Sequence, residues 1–536
     1  MANTFKKVID RQMWAQTTPN LNAHASGGMM ASDLRNTTAR NPFVYFLSSN
    51  SILNRYNIVQ KSWQRVSTAP LTAGTFGAGS TSWFAPSFGL VGTIAAGATT
   101  TSVTLSTALP TAVGTNMLAN RGGSGDLGFR IRIIDTTAGK TEERWIVANT
   151  LGTTPVITVD AAFTFTPATG ARYEITSGRL MMMNGGTTAA GSFRSFEVAT
   201  NTLANRTTTN LPASITTDSQ AIVLDEQYVP HNHKPGEGMV KGATSYDTGL
   251  VALLATGAAA GTITGQASAG DAAVVANEYR NFQIRIVADP TTVAAVGQRR
   301  IIASHTAGPS AVYTLGANWT TTPSSSARFV IELPNVAILR TTANTTTYTH
   351  NYSDATINNG TNSIAADAWS TAYFGAAGNA NGAGCLWAPS YGIQPDAARN
   401  ARHSFNYFFR GGNVTTLDLL DIAGGTTGTW TAGITYDGGT DTFNTGTCGT
   451  PSPFGNEGRY TYINQYVASQ VSQMYRFDAQ NRVLSPHVST DFIQSGTAAL
   501  GQRMASFAAI DGTDLYDCVL LQSHLSQLTQ ELIPLI

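Results

Sequence analysis

The 536-residue sequence predicts an all-β protein of many short strands, and three observations carry that prediction. Charged residues are only 12% of the chain, about half the usual share. Thr, Ala, Gly, Asn and Ser take their place. β-Branched Thr suits strands and Gly and Asn suit turns, whereas solvated helices need the Glu, Lys and Gln that are scarce here. The second observation is apolar residues alternating with polar ones in short runs, which marks half-buried strands. The third is that strand patterns recur along the chain.

The clearest recurrence is a duplicated segment. Residues 129–175 begin FRIRII and residues 282–331 begin FQIRIV, so Phe129, Ile131 and Ile133 match Phe282, Ile284 and Ile286. Arg144-Trp-Ile-Val-Ala matches Arg299-Arg-Ile-Ile-Ala; Phe163 matches Trp319, and Pro167 matches Pro323. Ala171-Arg172-Tyr173 matches Ala327-Arg328-Phe329. With the Thr/Gly/Ala-rich strands before them, each copy reads as a small antiparallel β-module, over 93–180 and 257–334.

A second repeat lies outside the modules. An apolar strand, a small or glycine-rich break and a hairpin recur: FVYFLSSN (43–50) before 55–66, LMMMNGG (180–186) before 195–206, FNYFFRGG (405–412) before 416–430, and RYTYIN (459–464) before 475–484. In the hairpins Tyr56, Phe196 and Tyr475 lead, and Trp63, Leu203 and Val483 close. WFAPSFG (83–89) is echoed by LWAPSYG (386–392), and 336–352 reads as a fifth, degraded unit. Units of about four short strands cannot close their own edges and must stack with neighbours. The pattern resembles the kelch-type β-propeller blade, with Gly185-Gly186 and Gly411-Gly412 at the double-glycine positions; Ser48-Ser49-Asn50 replaces the glycines in the first unit, and the fourth lacks them. The resemblance implies an irregular kelch-like propeller of five or six blades carrying the two modules as insertions. The expected organisation is an N-terminal arm (1–40), propeller parts at 41–92, 181–256 and 335–514, modules at 93–180 and 257–334, and a C-terminal apolar segment (515–536).

The module's Arg-x-Ile, alternating strand, Pro and Arg-aromatic-x-Ile pattern is similar to β-insertions of tailed-phage virion proteins, as is the Thr/Ala/Gly/Asn-rich composition. That resemblance implies a structural subunit of a particle: head decoration, neck or tail. Its expected partners are other virion proteins and copies of itself, as a homo-oligomer, made in the host cytoplasm. A receptor- or glycan-binding propeller of a tail tip or fibre is the alternative, and a propeller-scaffold hydrolase a more distant one.

Bulk properties agree with assembly. Thirty-two basic residues balance 32 acidic ones, so no net field draws the chain to nucleic acid or a membrane, and none keeps copies apart. Cys385, Cys448 and Cys518 follow no metal spacing. The N-terminal residues lack the apolar run of a signal peptide, and no stretch is long and apolar enough to span a bilayer. Near the start, Phe5, Val8, Ile9 and Met13-Trp14 fit one face of a short helix, followed by an arm over 18–39. Near the end, Leu521, Leu525, Leu528 and Leu532 recur at helical steps and predict a second short helix.

Candidate chemistry is sparse. His231 and His233, with Glu226 or Glu237, have the spacing to share a metal but no evident further ligand, and fit a solvated loop better. Ser245-Tyr-Asp247-Thr-Gly249 matches the core of a sialidase-type Asp-box, itself a structural turn, and occurs once. Asp437 and Asp441 flank a Gly-Gly and read as hairpin chemistry. The sequence therefore assigns no catalytic, cofactor-binding or metal-binding residue and expects no enzyme.

Overall fold

In the computed structural model the described residues are 29–32, 43–47, 53–57, 62–66, 77–111, 113–119, 129–187, 191–198, 200, 202–215, 219–224, 253–266, 276–308, 310–341, 345–377, 386–391, 404–410, 414–437, 443, 448–451, 460–465, 473–479, 481–486, 503–511, 514–522 and 530–535. They are all-β; among them the only helix is a three-residue 3-10 turn, Val293–Ala295.

Six antiparallel meanders follow one another along the chain. The first is Met29–Ser32, Phe43–Leu47, Leu53–Asn57 and Ser62–Arg65. The second joins Gly77–Thr93, Arg172–Thr187, Phe193–Glu197 and Thr202–Asn205. The third joins Gln220–Leu224, Val336–Arg340, Thr347–Asn351 and Ala368–Ser370. The fourth runs from Leu386–Tyr391 through Ser404–Phe409 and Thr416–Asp421 to Thr429–Thr435. The fifth runs from Cys448–Pro451 through Tyr460–Gln465 and Gln473–Asp478 to Val483–Pro486. The sixth has three strands, Arg503–Asp511, Asp514–Gln522 and Gln530–Leu535. The first strand of each sheet contacts the first strand of the next, and that of the sixth contacts that of the first.

In the second and fourth sheets the apolar runs are covered on both faces. Met181 and Met183 pack with Phe193, Leu339 and Trp369 of the second and third sheets, while Leu180 and Met182 turn the other way, toward Tyr45 of the first. Phe408 and Leu420 face the third sheet; Tyr407 and Phe409 face Phe477 of the fifth. Burying such a side chain contributes about 1.5–3 kcal/mol, against about 1–2 kcal/mol for fixing one residue's backbone. A strand apolar on both faces therefore gains its full stability only between two neighbours.

Two closed six-stranded barrels interrupt the sheets. Barrel I uses Gly77–Thr93, Ser102–Thr104, Arg130–Asp135, Lys140–Asn149, Val156–Val159 and Arg172–Thr187. Numbered along the chain, its strands pair in the ring order first, sixth, third, fourth, fifth, second, and the Ile94–Leu105 bridge closes it. Barrel II uses Leu253–Ala259, Thr262–Gln266, Gln283–Ala288, Arg299–His305, Ser310–Leu315 and Arg328–Glu332 in the same ring order. Each barrel falls between the first and second strands of its sheet.

Several sequence expectations are corrected. The C-terminal helix is absent: Asp514–Gln522 and Gln530–Leu535 are paired strands, with Leu520 opposite Leu532 and Leu521 opposite Glu531. Leu521 and Leu532 thus lie on two different strands, and Leu525 and Leu528 lie outside the described residues. Gly185-Gly186 is no break but the continuing end of Arg172–Thr187, at a register shift where Gly185 pairs with Gly77 and Gly186 with Ile215. Arg144 corresponds to Arg300, not Arg299: each guanidinium covers the matched ring, Phe163 at 5.2 Å and Trp319 at 5.6 Å, and each bonds the carbonyl just before it. In the fifth sheet it is Phe477 and Leu484 that pair as Tyr56–Trp63 and Phe196–Leu203 do, so Tyr475 and Val483 were the wrong landmarks. The N-terminal helix and most of the arm lie outside the described residues.

Candidate functional site: the joint between the two barrels

Strand alternation aims Ile131 and Ile133 into barrel I and leaves Arg132 on its outer face, yet Arg132 is fully buried. In register it stands opposite Glu143 on one neighbour and Glu174 on the other. Its guanidinium lies 3.4 Å from Glu143 and 3.3 Å from Glu174. Arg130 adds a 2.6 Å contact to Glu143, and Arg172 a 3.1 Å contact to Glu174. Barrel II supplies the next member: Arg299 reaches to 3.5 Å from Glu174. A carboxylate buried alone would be strongly unfavourable, and only partners on both sides make the burial tolerable. The ladder therefore fixes how the barrels sit together.

The backbone at the joint is equally close. Lys140 pairs with Ala288, and the Asp289 N–H donates to the Gly139 carbonyl at 2.8 Å. Gly139 has φ +63°, and a Cβ there would collide with the Asp289 carbonyl oxygen. A Cβ on Gly297 would come within 2.6 Å of Ile134. Ile134, though on a barrel I strand, packs into the core of barrel II.

Other buried charges also act as cross-links. Within barrel II, Arg285 makes a bidentate pair with Glu332, at 2.8 and 2.9 Å, and Gln283 donates to the same carboxylate at 3.0 Å. Between the third and fourth sheets, Arg340 pairs with Asp418 at 3.0 Å and lies over Phe408 and Trp430. Between the second and third, His350 is enclosed by Phe193 and Trp369, with ring centroids 5.2 and 4.7 Å away. Its Nε2 is 3.3 Å from Asp367, which Arg206 holds from the other side at 2.6 Å. Burial pushes the His350 pKa down despite that carboxylate. Asp367 is itself pushed up by burial, but His350 and Arg206 prevail and hold it below the ordinary carboxylate value. The His350 ring has no exposed surface and lies within the joint, while the Asp367 side chain is 33% exposed at its edge.

Of the residues singled out from sequence, His231, His233, Glu226, Glu237, Ser245, Asp247, Gly249 and Asp441 lie outside the described residues. Asp437 is a backbone tie: its N–H donates to Arg482 at 2.9 Å and its carbonyl accepts from Leu484 at 2.7 Å, linking the fourth and fifth sheets. Among the described residues no three His, Cys, Asp or Glu side chains are grouped to hold a metal ion, and no helix is long and apolar enough to cross a membrane. Sequence reasoning missed the Arg132 ladder. Its signal was local charge density: Arg130, Arg132, Asp135, Lys140, Glu142, Glu143 and Arg144 crowd one short stretch of a charge-poor chain.

No protein family matches the chain, and no curated protein matches it. Among solved structures it is similar to the crystal structure of the tricorn protease, at 8% identity and a TM-score of 0.16, over 92% of this chain and 43% of that one. The chain thus spans less than half the length of that protein, and a likeness of this size carries no argument.

Proposed function

We propose that this chain is a non-enzymatic structural subunit of a tailed-phage particle, a head-decoration, neck or tail component acting by multimeric assembly. The six meanders are read as blades of an irregular kelch-like propeller, the three-stranded sixth included, with the barrels as its two insertions. The carrying observation is the closed cycle of first-strand contacts, from which two barrels of one strand order are carried at the same point of neighbouring sheets. The non-enzymatic reading is supported by the buried charges, which are committed to one another at joints between barrels and between sheets. Neutral overall charge and Thr-rich exposed turns suit a surface that neighbouring copies cover. The virion assignment rests on the composition and module pattern. Quantitative mass spectrometry of purified particles tests it. The chain should be present in a fixed, multiple copy number, and its absence from particles would sink the proposal.

A further inference from the structure

Strand register brings two tryptophans and His350 together at the joint between the second and third sheets. Trp83 and Phe193 flank Arg172–Thr187 on its two sides, opposite Met181 and Met183, and Trp369 stands opposite His350 in the third sheet. The rings of the two sheets then meet. Centroid to centroid, Trp369 lies 6.3 Å from Trp83, 5.2 Å from Phe193 and 4.7 Å from His350, and Trp83 lies 5.7 Å from Phe193. Neither tryptophan is more than 3% exposed, and His350 is fully buried.

Apolar packing accounts for the rings but not for their nitrogens. Among the described residues neither indole Nε1 nor His350 Nδ1 has a hydrogen-bond partner. A buried indole normally finds one, as Trp319 does when its N–H donates to the Thr262 carbonyl at 3.3 Å. A buried polar group left without a partner forfeits its hydration and gains nothing in return. The Asp367 carboxylate, 3.3 Å from Nε2, sets the tautomer of the third ring. Burial keeps that ring neutral, with its hydrogen on Nε2 and a lone pair on Nδ1.

We propose that Trp83, Trp369 and His350 bind one ordered water molecule, which ties the second sheet to the third. The cluster presents two donors and one acceptor, and that set selects the ligand. An anion only accepts hydrogen bonds and would meet the Nδ1 lone pair; a metal cation would meet two N–H groups. Water accepts from both indoles and donates to Nδ1, and about three bonds is what a buried water makes.

Nuclear Overhauser spectroscopy between water and the indole N–H groups of the full chain, isotope-labelled at tryptophan, tests this. The Trp83 and Trp369 resonances, assigned with Trp83→Phe and Trp369→Phe, should each show a cross-peak to a long-lived water; that of Trp319 should show none. In His350→Phe, which removes the acceptor, both cross-peaks should be lost. A cross-peak missing from either indole of the wild type would overturn the site, and upfield N–H resonances would then assign the indoles to bonds with neighbouring ring faces. Cross-peaks that persist at full strength in His350→Phe would equally overturn it, because the water would be held without Nδ1. Should that variant misfold by circular dichroism, a crystal structure of the wild type decides. One water within about 3.2 Å of all three nitrogens supports the proposal, and none there overturns it.

Discussion

In barrel I the first and last strands, Gly77–Thr93 and Arg172–Thr187, run on into the second sheet. In barrel II the last strand, Arg328–Glu332, stops, and Leu333-Pro334-Asn335 separates it from Val336–Arg340 of the third. Pro334 cannot donate to a ladder, so the sheet has to restart after it. The first barrel is thus held by continuous backbone, bent at a register shift between Ile175 and Ser177. The second is held from the side: Asn281 donates to the Ile422 carbonyl at 2.8 Å, and Asn359, in the hairpin of Ile357–Asn358 and Ser363–Ile364, to that of Thr426 at 2.9 Å. One fold is attached in two modes. The charge ladder follows the same divergence, because Glu143 of barrel I is replaced by Arg299 in barrel II, and Arg299 then serves barrel I's Glu174.

Removing the arginines should expose that asymmetry most strongly. Among the described residues Arg132 contacts two buried carboxylates, Glu143 and Glu174, and Arg285 contacts that of Glu332. Breaking a buried pair costs about 3–5 kcal/mol, so Arg132→Ala should lie at or above the top of that range and Arg285→Ala within it. Denaturant unfolding of both variants checks the order. Equal losses would mean that Arg130, Arg172 and Arg299 suffice for the barrel I acids.

The glycines of the joint come next. Gly139→Val combines a strained positive φ with a collision against backbone, for an expected loss of about 2–4 kcal/mol. Gly152→Ala, at φ +117° with open space around it, should cost only strain, about 1–2 kcal/mol. Thermal unfolding that ranks them the other way would show that the barrels do not depend on close contact.

These contrasts were only partly legible in the sequence. The duplication was, because the Phe-x-Ile-x-Ile alternation and the prolines survive in both copies. Its register slipped by one residue along the copies, since a register shift between Ile286 and Ala288 displaces Asp289 relative to Asp135 and the doubled Arg299-Arg300 hides the true partner of Arg144. Asp135 and Asp289 are nonetheless equivalent: each accepts two N–H bonds from the turn after it, and a third from Ala168 or Ser324, the residue after the matched proline. The ladder was illegible because alternation labels Arg132 as outward, and only the second barrel makes that outside an interior. The last strands were misread because leucines on two separate strands, Leu521 and Leu532, fell at a spacing that also fits a helix.

The two barrel-bearing sheets meet at His350, which gives their joint a pH dependence. With its pKa held below the ordinary value by burial, the folded chain keeps the ring neutral while the unfolded chain takes up a proton below about pH 6.5. Stability should be full above that pH and decline as pH falls toward the folded pKa. Asp367, also lowered, adds a further loss only below the ordinary carboxylate range near pH 4. His350→Phe should flatten the first decline in the melting temperature. A decline of unchanged size in that variant would assign it to another group.

The smallest effect should come from exchanging a polar clamp that differs in chemistry between the barrels. Asn116 and Asn277, at φ +56° and +63°, each accept an N–H from the fourth strand of their barrel on the side-chain oxygen and return one to the carbonyl of the same residue. That residue is Asn149 in barrel I and His305 in barrel II. Asn149 Oδ1 accepts the Leu118 N–H at 2.9 Å; His305 Nε2 accepts the Tyr279 N–H at the same distance, with Nδ1 3.0 Å from the Thr306 carbonyl, which fits a neutral ring protonated on Nδ1. An amide can make both bonds, so His305→Asn should lose mainly the ring contacts to Tyr279 and Tyr313, about 0.5–1.5 kcal/mol. His305→Leu keeps apolar bulk but orphans the buried Tyr279 N–H, for about 1–3 kcal/mol. The gap between these two variants, measured by denaturant unfolding, isolates the hydrogen bond. If His305→Asn is the more damaging, the imidazole is held for its rings, and the clamps only look alike.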